Sequence, residues 1–179
     1  MNKMLNSIFV KLVFVGILLM SWSLDPTVSL SKPNLTPFIP AASAPNNWSD
    51  KLVVSTVRNN HIDSPTLLNT DTLYVDMAWK NIGDAAATSY TVDLYVDDVK
   101  VHTCGPYSTN PNLTISCNDK EVNPLSAGSH ALRMKVDPGD NVDESEEGDN
   151  EYTKTITVTQ LQPNLTPTQP GGWSDKIVV

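Results

Sequence analysis

The sequence predicts an all-β chain, an Ig-like antiparallel β-sandwich of about seven strands, and three observations predict it. Apolar and polar residues alternate over short runs, as in Leu73–Asn81 (LYVDMAWKN), Tyr90–Val96 (YTVDLYV) and Tyr152–Val158 (YTKTITV), the period of a strand buried on one face. Clusters of Gly, Pro, Asn and Asp separate the runs and mark turns. Past residue 31 no run has a convincing helical period. Seven such strands over residues 51–160 match a sandwich, and a domain of that size can bury a self-sufficient core.

The chain opens on a different pattern. Met1–Lys11 carries Lys3 and Lys11 and no acid, Leu12–Met20 is unbroken and apolar, and small residues follow around Ser23 and Ser31. That order reads as a secretory signal peptide over residues 1–31, cleaved after Ser23 or after Ser31. The apolar run is shorter than the ~20 residues of a membrane span, so no stable membrane insertion is expected after cleavage. Residues 32–50 follow as a Pro-rich linker, with four prolines in Pro33–Asn47 favouring an extended lead-in.

Lys51–Val57 is the first expected strand, and Arg58–Thr72 a long polar connection. In Leu73–Asn81, Val75, Met77 and Trp79 share the core face, and Tyr74, Asp76 and Lys80 the other. Taken alone Trp79 would suit a stacking platform for a ligand, but its parity with Val75 and Met77 assigns it to the core. Asn81-Ile82-Gly83-Asp84 is a turn in which Gly83 is expected to supply positive φ. Val92, Leu94 and Val96 face inward, and Asp93 and Tyr95 outward. Asp97-Asp98 turns the chain into Val99–Cys104. Leu113–Cys117 and His130–Val136 follow, the latter with Leu132, Met134 and Val136 inward. Tyr152–Val158 is the last strand, with Ile156 in the core.

Cys104 and Cys117 enclose twelve residues rich in Gly, Pro, Asn and Ser. In an exported chain they are expected to form a disulfide, pinning a floppy loop to two strand ends and worth ~3 kcal/mol on the chain-entropy account. With no CxxC and only two thiols, neither redox nor zinc chemistry is indicated.

Val136–Asn150 (VDPGDNVDESEEGDN) joins the last two strands. Asp137-Pro138-Gly139-Asp140 is turn chemistry, and Val142, the loop's single internal apolar residue, is expected to plug it into the core. Asp137, Asp140, Asp143, Glu144, Glu146, Glu147, Asp149 and Glu151 crowd this stretch. Oxygen-rich clusters invite calcium, and Asp143, Ser145 and Glu147 start like a twelve-residue calcium loop. The pattern fails at the bidentate position, which is Lys154, so no metal or other cofactor is expected, calcium being the one candidate.

Val136-Asp137-Pro138, Val142, Glu144-Ser145, Glu147 and Asn150, ahead of a Thr-rich last strand, form one ordered motif. Lys80-Asn81-Ile82-Gly83-Asp84-Ala85-Ala86, followed by Val92–Asp97, forms a second. Together they resemble the CARDB domain, the cell-adhesion-related domain found in bacteria, over residues 51–160. The resemblance implies an Ig-like, non-catalytic module in which Asn81, Gly83, Asp137, Pro138, Glu144, Glu147 and Asn150 are structural. Glu144 and Asn150 would bond loop amides, the remaining acids being solvated.

The linker recurs. Pro163–Pro167 (PNLTP) repeats Pro33–Pro37, and Trp173–Val179 (WSDKIVV) repeats Trp48–Val54 (WSDKLVV), with five fewer residues between the blocks. Residues 161–179 therefore read as a second linker and the first strand of a further CARDB unit, one complete copy preceding it. A tandem array explains this better than a vestigial tail.

A net charge of −8 and a pI near 4.6 leave no basic footprint for nucleic acid. His61, His102 and His130 lack metal-ligand spacing, and no nucleophile elbow or Gly-rich phosphate loop is present. Sequons at Asn34, Asn47, Asn112 and Asn164 are read only as marks of exposure. The expectation is a secreted or cell-surface, non-enzymatic spacer or adhesion module. Its partners would be a surface protein or polysaccharide and neighbouring repeats in cis. The alternatives are a carbohydrate-binding accessory module presenting Tyr90, Tyr95 and Tyr107, and an appendage of an exported hydrolase such as a protease.

Overall fold

A computed structural model describes residues 30–41, 47–163, 165, 167–169 and 171–172. The expected signal peptide lies outside the described residues apart from Leu30 and Ser31, as does most of the second linker block. Ser31–Val179 forms a unit of its own, and its described part is all-β: β1 (Leu35–Pro37), β2 (Leu52–Ser55), β3 (Leu73–Asn81), β4 (Ala87–Val96), β5 (Val99–Thr109), β6 (Thr114–Val122), β7 (Gly128–Val136) and β8 (Glu151–Val158).

The strands form two antiparallel sheets. In one, β6 runs along one edge of β3, while β1 and β2 divide the other edge between them. Pro37 lies opposite Trp79 and Leu52 opposite Met77, so the two short strands continue one line broken by a looped-out excursion. Phe38 N donates to Ala78 O (3.0 Å) and Ala78 N to Lys51 O (2.9 Å), closing that excursion at its base. The second sheet has the order β5-β4-β7-β8.

The alternation read from the sequence sets the core. Val75, Met77, Trp79, Leu94, Leu132 and Met134 are fully buried, and Ile156 nearly so, in one cluster that also takes in Val142 from the acidic loop. Trp79 is a core residue: its indole N–H donates to the Tyr90 hydroxyl (2.8 Å), which in turn meets Thr109 Oγ1, satisfying a buried polar chain. Asp97 and Asp98 both take positive φ (49° and 64°), giving the two-residue hairpin expected between β4 and β5.

Four local readings are corrected. The strand count is eight, because Leu35–Pro37 in the expected linker is a strand. Its one proline, Pro37, lacks a ladder donor but sits at a sheet edge, where that is tolerated. The Cys104–Cys117 segment is not a floppy loop: β5 runs on to Thr109 and β6 begins at Thr114. Gly105 (φ 113°) and register shifts opposite Thr88–Val92 absorb the residues that read as loop. Gly83 does not take positive φ. A Cβ there would lie 2.4 Å from Lys32 O and 2.5 Å from Asn34 N, so glycine admits the incoming chain. Asp76, expected on an outer face, is buried beneath His61, whose Nδ1 lies 2.7 Å from its Oδ2.

Candidate functional site

The two motifs that carried the family resemblance lie far apart in sequence, yet they converge on one strand, β1. Asn81 comes first. Its Oδ1 accepts from Asn34 N and Gly83 N (both 3.1 Å), and its Nδ2 donates to Ala85 O (2.7 Å) and Thr109 O (3.0 Å). All four capacities of a fully buried amide are thereby used. Around it, Ile82 N donates to Asn34 O (2.7 Å) and Asp84 N to Lys32 O (2.9 Å). The lead-in to β1 therefore lies directly on the β3–β4 turn, in the space Gly83 leaves.

The acidic loop closes over the other side. Glu144, buried, accepts from Leu35 N through one oxygen and from Asn150 Nδ2 (2.8 Å) through the other. Ser145 N donates to Pro33 O (2.9 Å), and Thr36 Oγ1 to Asp149 O (3.2 Å). Asp137 Oδ2 accepts from Val142 N (2.8 Å), and Glu147 Oε1 from Glu144 N (2.7 Å), which hold the loop's own shape. Burial pushes the Glu144 carboxyl up to about 7; the Leu35 amide and Asn150 counter that, and the Glu147 and Asp137 charges reinforce it.

These contacts correct two expectations. Glu144 bonds the amide of β1, not one of its own loop. The other acids are not simply solvated, since Asp137 is buried and Asp149, Glu147 and Asp143 each have a partner. Asn34 is also buried, so its sequon does not mark exposure.

A second set of contacts anchors β2, and sequence reasoning missed it. Trp48 stacks on His61 (centroids 4.6 Å apart, planes at 7°). Ser49 Oγ donates to Asp63 Oδ2 (2.8 Å), and Asp63 Oδ1 accepts from Val54 N (2.8 Å). The Lys154 ammonium sits between Asp50 (3.0 Å) and Asp63 (2.7 Å) and donates to Leu52 O (2.9 Å); Tyr152 OH donates to Asp50 (3.0 Å). Burial would raise the Asp50 carboxyl, but Lys154 and the Lys51 amide hold it below the usual range. The signal that could have found this set is the repeat itself, since Trp48, Ser49 and Asp50 of the recurring Trp-Ser-Asp-Lys each make a contact here.

At the opposite edge, Cys104 on β5 and Cys117 on β6 form the expected disulfide, Cα–Cα 6.5 Å, and so tie the two sheets together. The calcium candidates do not come together. Asp143 is exposed and paired with Lys32 (2.5 Å), Ser145 turns its amide to Pro33, and Glu147 holds the Glu144 amide. Among the described residues no three of His, Cys, Asp or Glu group to hold a metal ion. A hollow of about 250 Å³ beside the loop is lined by Asp137, Asp140, Glu147 and Asn150, with Lys135 adding a cation to it. Of the three candidate tyrosines, Tyr90 is fully buried and Tyr107 packs on Trp79 and Tyr90. Tyr95 is partly exposed beneath Arg133 (4.2 Å). The three-tyrosine platform is therefore not present.

A family model named CARDB matches residues 49–154, more than half of the chain. The chain belongs to the CARDB family. Two of the solved structures it resembles are of the CARDB domain of the PF1109 protein from Pyrococcus furiosus. The crystal structure, in complex with di-metal ions, has TM-score 0.56 and 16% identity, covering 74% of this chain and 99% of that one. The solution NMR structure has TM-score 0.52 and 17% identity, covering 73% and 98%. A third, with TM-score 0.48 and 23% identity over 71% of this chain and 92% of its own, is a domain of a Methanosarcina acetivorans protein provisionally described as a cell surface protein. No curated protein matches the chain. At these identities the likeness establishes the fold, and one CARDB copy is matched. CARDB is a family of non-catalytic modules, and β1 of this chain lies upstream of the matched stretch.

Proposed function

We propose that this chain is an exported, non-catalytic CARDB module serving as a spacer or adhesion unit of a bacterial cell-surface or secreted protein. The observation that supports this reading is where the polar chemistry goes. Asn81, Glu144, Glu147, Asn150, Asp50, Asp63 and Lys154 are all engaged in holding strands β1 and β2 on the sandwich, while the disulfide holds the opposite edge. A unit closed at both edges keeps a fixed length and a fixed direction between whatever lies before and after it. A disulfide at a structural position also fits an oxidising compartment.

Two measurements test it. Expressed with a C-terminal epitope, the chain is expected to mature by loss of residues 1–23 or 1–31 and to be labelled on intact cells with no free thiol. A retained N-terminus and free thiols in the cytoplasm would overturn export. Beads coated with the mature chain then separate the two roles. Saturable retention on a polysaccharide or surface-protein panel marks adhesion, with Tyr95→Ala reporting whether a sugar stacks at the one remaining tyrosine. No retention marks a spacer, including one that carries an exported hydrolase.

A further inference from the structure

The structure assigns a new meaning to the repeated segment. Residues 33–37 and 48–54 carry a two-part clamp, β1 and β2, and residues 163–167 and 173–179 repeat its sequence. In the first copy Leu35 is fully buried; its counterpart Leu165 is 87% exposed. We propose that the second clamp docks in the β1–β2 slot of a second copy of this chain, displacing the resident clamp and linking molecules head to tail.

The slot of its own sandwich is out of reach. Contacts place the edge in order: Thr36 beside Asp149, Asp50 beside Tyr152, Leu52 beside Lys154. The slot for Pro33 thus lies at the Asp149 end of β8. The chain leaves at the other end, where Thr159 bonds Leu67 and Asn69, and Leu161 N is fixed to Asn69 Oδ1 (2.8 Å). From Asp149 to Thr159 the strand advances roughly 30 Å, whereas Leu161 to Pro163 spans at most ~7 Å. The second clamp therefore cannot fill the slot of the sandwich it follows.

Its sequence fits that slot. PNLTP is unchanged, and WSDKIVV differs from WSDKLVV only by Ile177 for Leu52, a volume-conserving swap. The five residues missing between the blocks fall in the excursion, whose ends already meet across Ala78, so a shorter loop still closes. Gln162 stands where Lys32 is and forgoes an exposed pair with Asp143, which counts for little. The resident clamp is tethered and has the higher effective concentration, so exchange needs time, high concentration or a weakened first clamp.

The test uses the full chain. Thr36 lies opposite Lys80, so a docked donor places Thr166 there. A Lys80→Cys chain is mixed with a Thr166→Cys chain and oxidised. The expected product is a covalent dimer, its yield raised by Leu35→Ala in the acceptor. Leu165→Ser in the donor should lower the yield at least ~10-fold, since losing a buried leucine costs more than one decade of affinity. Both cysteines in one chain at high dilution should give no intramolecular link. No dimer with either acceptor, equal yield with Leu165→Ser, or an internal link overturns the proposal. The first result would leave the clamp to a module farther along its own chain.

Discussion

The two edges of this sandwich are closed by opposite chemistry. Where β5 meets β6, the sheets are joined by a single covalent bond, Cys104–Cys117, beside an edge strand that leaves Val99 and Val101 exposed. Where β1 and β2 meet β8, no covalent bond exists, and closure is shared among a buried leucine, a buried carboxyl and a lysine between two aspartates. The first edge answers to reductant, the second to protons and to competing strands. A covalent closure is all-or-none, whereas a distributed one can be weakened by degrees and its strand replaced.

The comparison can be broken from either side. Leu35→Ala should have the largest effect, about 2–5 kcal/mol in urea unfolding, because the side chain is fully buried and short β1 has little else in the core. Replacing Cys104 and Cys117 together by serine should cost ~3 kcal/mol. Reduction of the native chain should reproduce that loss, while the Leu35 variant retains its dependence on reductant. Gly83→Ala should cost ~1–3 kcal/mol by overpacking. It acts through β1, since the new methyl meets backbone at Lys32 and Asn34, so amide exchange should rise at Leu35 while the β5–β6 edge stays protected.

Glu144→Gln sharpens the comparison in pH. The carboxyl titrates near 7 in the folded chain, against 4.5 when unfolded. The folded state therefore holds the extra proton between those values, and its stabilising contribution is complete below 4.5 and lost as pH rises through 7. The native chain should lose about 3 kcal/mol across that window, and the glutamine variant should not. His130, raised chiefly by its bond to Asp97, also loses its contribution as pH rises, starting from its unfolded value of 6.5, and should leave a residual slope in the variant. Lys154→Met should give the smallest effect, ~1 kcal/mol at neutral pH, because its partners are partly solvated.

The sequence made one of these edges plain and hid the other. Strand parity placed Val75, Met77, Trp79, Leu94 and Leu132 in the core because period-two burial is a local property. Two cysteines in a chain expected to be exported pointed to their own bond, and Val142 stood out as the only apolar residue inside an acidic loop. β1 was hidden because three residues flanked by prolines carry no strand signal; its stability comes from Asn81 and Glu144, 47 and 109 residues away. The Lys154–Asp63 pair, 91 residues apart, is invisible to any local pattern. Tyr90, a candidate for the sugar-binding alternative, has the parity of Val92 and Leu94, and Trp79 and Thr109 satisfy its hydroxyl inside the core. The repeated blocks were legible as a repeat ending in a first strand, and only the fold showed that the first block, residues 33–37, also holds a strand, β1.

The chain enters the sandwich beside Asp84 and Ser145 and leaves it past Leu67 and Asn69, at opposite ends of the β1–β2/β8 edge. A pulling force applied through the two ends of the domain therefore acts along the strands. The hydrogen bonds between β3 and the β1–β2 line are loaded in parallel, in shear, and must fail nearly together instead of unzipping one at a time.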